Sequence, residues 1–127
     1  MQRRSKNLPN FAQLGFFINN KGEIMSKIPK RYLKFKEDYP KVFEAYEAMG
    51  DAIHNAGPLD DKTRALVKLA ISTGARLEGA VHSHTRKALK VGVTKEELRQ
   101  VALLSLPTIG LPSMMAALSW VDDVIGD

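Results

Sequence analysis

The chain contains no cysteine. Disulfides, cysteine-ligated zinc, iron–sulfur clusters and thiol redox chemistry by its own side chains are thereby excluded. No run of roughly 18 or more apolar residues is present, so no membrane-spanning helix is expected. A glycine-rich phosphate loop, a dinucleotide fingerprint, an HExxH helix and a serine elbow are all missing. An apolar patch near the start, residues 11–18, is broken by Gln13 and Gly15. No small-residue cleavage site follows it, so it does not read as a signal peptide. Histidine is scarce, three in 127 residues.

Acidic residues are nearly absent from the first quarter of the chain. Residues 1–36 hold nine Lys or Arg against one Glu, a charge of +8, while residues 37–127 hold ten against thirteen, a charge of −3. A mildly acidic body follows a strongly basic leader. Such a leader could touch nucleic acid or anionic lipid. A solvated tail is the simpler reading, and neither nucleic acid nor membrane is an expected partner. The patch at 11–18 reads as a short element on the body, as disordered chain, or as the product of an upstream start, with Met25 the alternative first residue. The expected organisation is a leader over 1–26 and one domain over 27–127, with the leader dispensable for folding. At 44% hydrophobic content the chain can bury one core.

Strand alternation bounded by hairpin signals is not found, and helical periodicity is. Tyr32, Phe35 and Tyr39 recur at spacings of three and four. Pro40 suits the first turn of a new helix, whose stripe is Val42, Phe43, Tyr46, Met49 and Ile53. His54 closes that run before Gly57-Pro58 and reads as a surface residue matched to the helix dipole. Asp60 or Asp61 caps the next helix. Its apolar residues, from Ala65 to Ile71, cover most of the circumference, with Lys68 interrupting on one side, so it should be central. Gly74 breaks it. A further helix starts within 77–79 and ends at Gly92, with Val81, Ala88, Leu89 and Thr85 inward. Thr94 and Glu97 form a capping box, with Val93 and Leu98 as its hydrophobic staple. Pro107 ends or kinks that helix, residues 108–112 make an apolar turn, and the last helix spans 113–125. The fold class is all-α, with five or six helices. The apolar surplus implies oligomerisation, and Met114-Met115 reads equally as core filler or subunit interface.

Residues 60–93 hold the only cluster with catalytic group types: Glu78, His82 and His84. Glu78 and His82 lie four apart and share a helical face, so the carboxylate can orient the imidazole. His84 sits about 200° further round than His82. A regular helix cannot aim both at one metal, and H-x-H without a third ligand does not support one. Arg76 and Arg86 are candidate holders of an anionic substrate. No cofactor and no metal are expected.

Three pieces are similar to one known family. They are K-T-R-A-L-V-K-L-A at 62–70, H-T-R-K-A-L-K-V-G-V-T-K-E-E-L at 84–98, and the turn and helix over 107–117. Over residues 60–123 the chain resembles the carboxymuconolactone decarboxylase family, the AhpD-like group. The resemblance implies an all-helical domain assembling as trimers or hexamers, with its site near subunit contacts. Thiol peroxidases of this family use a Cys-x-x-Cys pair with a histidine four residues past the second cysteine. That histidine matches His84. The cysteines match Leu77 and Ala80, the histidine between them matches Gly79, and an upstream relay glutamate matches Ala65. A disulfide cycle needs two thiols in reach, so the thiol relay is lost here. The decarboxylase branch implies a different chemistry, in which a histidine protonates the enolate left by loss of carbon dioxide.

The expectation is therefore a cytoplasmic homo-oligomer, with a small-molecule substrate if it is an enzyme. Two readings compete. One is a cofactor-free lyase on a small carboxylated lactone or related acid, with His84, His82 and Glu78 catalytic and Arg76 and Arg86 binding substrate. The other is a non-catalytic scaffold that has kept the fold. A closed pocket at His84 with a convergent arginine favours the first; a histidine sealed among leucines favours the second.

Overall fold

A computed structural model describes residues 16–18, 24–26 and 28–126. Most of the basic leader, and with it the reading of 1–26 as a separate segment, lies outside the described residues. Two short antiparallel strands stand within it, β1 (Phe16–Ile18) and β2 (Ile24–Ser26), paired Phe16 to Ser26. Their three-residue length explains why alternation did not show. All other regular structure among the described residues is helical: α1 (Lys30–Asp38), α2 (Pro40–His54), α3 (Asp61–Gly74), α4 (Glu78–Lys90), α5 (Lys95–Leu103), α6 (Leu106–Ile109) and α7 (Leu111–Ile125). The domain is all-α. Six helices match the periodic segments, and α6 is a single turn built from the stretch read as an apolar turn. Pro107 and Pro112 each fall within the first two positions of a helix, where a missing N–H costs nothing. Among the described residues no helix is long and apolar enough to cross a membrane.

The core lies among α3, α4, α5 and α7. Leu69 of α3, Val81, Thr85 and Ala88 of α4, Leu98 and Ala102 of α5, and Ala117 and Val121 of α7 are all fully buried. Helix α4 packs on both α3 and α7, and α5 packs on α7 and α3. Met114 is in the core, whereas its neighbour Met115 is exposed. Helix α3 is central on one side only: Leu69 is sealed, but Val67 and Ile71 face outward.

Helix ends follow local chemistry. Asp60 caps α3 by accepting from the Thr63 N–H at 2.7 Å. The capping box of α5 is complete, with Thr94 Oγ1 accepting from the Glu97 N–H at 3.1 Å and Glu97 Oε2 from the Thr94 N–H at 2.9 Å. Val93 and Leu98 enter the core beside it. Helix α3 ends at Gly74, but the left-handed turn falls two residues later, on Arg76 at φ 58°.

Helices α1 and α2 form an arm held by rings. Phe43 meets Tyr32 edge-on at 5.7 Å between centroids and Phe35 at 6.1 Å. Neither helix has a buried residue, and Val42, Tyr46, Met49 and Ile53 stand exposed along α2.

Leu98→Ala should lower stability by about 2–5 kcal/mol, because it empties a sealed position. Thr94→Ala should cost about 1 kcal/mol, the worth of one N-cap. Urea denaturation measures both, and equal losses would put the weight of α5 on its cap rather than on the core.

Candidate functional site

The three buried residues of α4 decide where its histidines go. Val81, Thr85 and Ala88 face the core, so side chains flanking that stripe emerge on opposite sides. His82 emerges toward α7, where its Nε2 lies 2.9 Å from Asp123 Oδ2. His84 emerges toward α3 and the end of α2. There a cleft of about 230 Å³ is lined by His54, Asp61, Arg64, Ala65, Lys68, His84, Lys87 and Val91.

The cleft is crowded with positive charge. Lys68 Nζ lies 2.8 Å from His54 Nε2. The ammonium can donate to the ring there if the ring proton sits on Nδ1. Lys68 holds the His54 pKa below its ordinary value, chiefly by charge repulsion. Burial, and then the charges of Lys87 and Arg64, push Lys68 itself down. His84 is the most perturbed group. Burial first, and then Lys68, Lys87 and His54, lower it to about 4. The His84 imidazole is therefore neutral at pH 7. Arg64 is partly committed: it pairs with Asp61 and donates to the Leu59 carbonyl at 2.7 Å. Among the described residues, Asp61 is the only carboxylate lining the cleft.

The residues nominated from the sequence are not gathered in one place. His84 stands alone of the five in the cationic cleft. Glu78, His82 and Asp123 cluster on the α4–α7 side, their donor atoms within 4.8 Å of one another. That spacing would suit one cation, but Glu78 and Asp123 are exposed. Asp123, not Glu78, is the recorded hydrogen-bond partner of His82. Arg86 lines a second cavity of about 170 Å³, with Tyr32, Ser83, Lys87 and Lys90 among its walls. Arg76 is exposed in the turn between α3 and α4 and lines neither cavity.

Sequence reasoning missed three cleft residues and misread a fourth. His54 is not a free surface residue: the end of α2 turns it, partly buried, onto Lys68. Lys68 had a visible signal, as the lone cation inside an apolar helical run. Arg64 and Lys87 looked like ordinary solvated charges, and only the packing of α3 on α4 brings them together.

Fold and cleft together define a small helical domain with a histidine in a cationic groove on its central helix pair. Residues 40–123 match the carboxymuconolactone decarboxylase family, and the chain belongs to that family. It is similar to an uncharacterized protein of Haemophilus influenzae, 35% identical over 66 residues. That match spans 52% of this chain and 58% of the relative, less than two thirds of its length. It is also similar to 4-carboxymuconolactone decarboxylase of Acinetobacter baylyi, 30% identical over 93 residues, 73% of this chain and 68% of that one. The crystal structure of an apo carboxymuconolactone decarboxylase family protein from Legionella pneumophila superposes with a TM-score of 0.63 at 25% identity. It covers 72% of this chain and 82% of that one. This member of the family has no cysteine, so it cannot run a dithiol peroxidase cycle with its own side chains.

The His84 shift has a stability consequence. Its folded pKa lies below the unfolded value near 6.5, so the folded state binds fewer protons between about 4 and 6.5. The stability involved is present above pH 6.5 and is lost as the pH falls toward 4. An NMR titration should place the His84 midpoint near 4, and His84→Gln should flatten the pH dependence of the melting temperature across that window. A midpoint near 6.5 would mean that the ring is solvated and the cleft electrostatics are misread.

Proposed function

We propose that the chain is a cofactor-free carboxy-lyase acting on a small carboxylated lactone or related acid in the His84 cleft. One observation carries the reading: in a member of this family, His84 converges with Arg64, Lys68 and Lys87 on a single cleft. The cations suit a carboxylate substrate. Ala65, at the position matching the relay glutamate of the peroxidase branch, leaves room and adds no negative charge. The cleft at His84 is open rather than closed, but Arg64 and two lysines line it in place of leucines, which supports catalysis over a scaffold that has only kept the fold.

The chemistry is one bond broken and one proton delivered. Loss of carbon dioxide leaves an electron pair on carbon, delocalised into a neighbouring carbonyl. The cations stabilise the resulting enolate, and an imidazole protonates the carbon. His84 is neutral in the empty cleft. A bound anion offsets the repulsion from Lys68 and Lys87, which raises the imidazole pKa and lets it carry a proton when substrate is present. His82, paired with Asp123 on the other side of α4, is a contact between α4 and α7 in this reading and not the acid. Arg64, Lys68 and Lys87 take the substrate-holding role first given to Arg76 and Arg86.

A panel of carboxylated lactones and β-keto acids, assayed by carbon dioxide release, tests the reading. His84→Ala should lose activity by roughly 100-fold or more, the usual worth of a general acid. His82→Ala should retain it. Activity that survives His84→Ala with the fold intact would sink the mechanism.

The same reading includes self-association as a trimer or hexamer. Val42, Tyr46, Met49 and Ile53 on α2, Val67 and Ile71 on α3, and Leu103, Leu104 and Leu106 leave far more apolar surface exposed than a small monomer sustains. A second copy of the chain is the simplest cover for it. Sedimentation at micromolar concentration should give a species well above the 14.1 kDa monomer, and a monomer alone would rule the assembly out.

A further inference from the structure

Lys68 is only partly exposed and stands among other cations. It projects from α3 into the cleft, one helical turn from Ala65, and the His54 imidazole stands at 2.8 Å from its nitrogen. Among the described residues its recorded partner is that imidazole, and no salt bridge ties it to a carboxylate. Lys87 and Arg64 crowd it from two sides, and burial adds to their effect in the same direction. A lysine beside other cations, partly desolvated and in contact with a neutral base, meets the conditions for a nucleophilic amine. Asp61, the carboxylate that lines the cleft, is occupied by Arg64.

We infer that Lys68 is a catalytic amine that forms an imine with the ketone carbonyl of a small β-keto acid, with His54 as its proton acceptor. The inference rests on the carboxy-lyase reading of the cleft and narrows its substrate to keto acids. His54 takes a proton from the Lys68 ammonium. The free amine then adds to the ketone carbon to give a carbinolamine. His54 returns the proton to the departing hydroxyl, which leaves as water, and a protonated imine remains. The carbon–carbon bond to the carboxylate breaks, and its electron pair moves onto the imine nitrogen, releasing carbon dioxide and an enamine. His84, which takes up a proton from water at the open cleft, delivers it to the enamine carbon. Addition of water to the imine frees the ketone and returns Lys68. Overall, one keto acid anion and one proton give one ketone and one carbon dioxide, and no oxidant or reductant enters.

The experiment is borohydride trapping on the full chain, with acetoacetate as the probe and carbon dioxide release measured in parallel. Hydride reduces a protonated imine to a stable secondary amine. The expected result is an adduct on the peptide containing Lys68, heavier by the trapped ketone less one oxygen, and seen only when both reagents are present. Lys68→Arg, which keeps the charge, should lose both the adduct and the carbon dioxide release. His54→Gln should slow adduct formation. Mapping the adduct on the wild-type chain gives an answer even if a variant folds poorly. Decarboxylation of keto acids without an adduct at Lys68, or turnover of lactones alone, would overturn the imine and leave the carboxy-lyase reading standing. An adduct spread over surface lysines would also overturn it. No adduct and no turnover of any acid on the panel would remove both readings together. An adduct at Lys68 without carbon dioxide release would keep the reactive amine and remove the lyase.

Discussion

The burial of one stripe on α4 governs everything else in this domain. Val81, Thr85 and Ala88 are sealed between α3 and α7. With that stripe inward, His82 lies about 100° to one side of Val81 and His84 about 60° to the other. Neither histidine is free to choose its environment. One is delivered to a carboxylate on α7, the other to a groove floored by α3. Lys87 and Val91 follow His84 at spacings of three and seven, so the same constraint carries a cation and an apolar wall into the groove. The directions of both histidines are thus by-products of core packing.

Electrostatic crowding then gives the groove its character. Cations gather where apolar side chains would otherwise sit, and their desolvation makes each one raise the energy of the others. An empty cleft of this kind is poised against itself. The strain lies in the charges, not in the backbone, and it is relieved by whatever negative group enters. A negative group in the groove would offset the repulsion on His84 and raise its pKa.

Much of the fold was legible because helical signals are local. The Thr94–Glu97 box, the Asp60 cap and the Pro40 start each involve residues within one turn, and each appears as its chemistry requires. The site was legible only in part. His84 could be placed by its surroundings in the chain, and the divergence of the two histidines followed from helix geometry. The partners of each could not, since His54, Lys68 and Asp123 come from other helices and meet α4 through tertiary packing. The exposed stripe of α2 shows the other limit. Periodicity marks which face of a helix is apolar, but it does not say whether this chain or another one covers it.

Lys87 lines both cavities flanking α4, the His84 cleft on one side and the Arg86 cavity on the other. A single flexible ammonium cannot face both at once. An anion in the Arg86 cavity would draw that ammonium away from the cleft, easing the repulsion on Lys68 and His84. The two cavities thus share one cationic side chain, and an anionic group in either would compete for it.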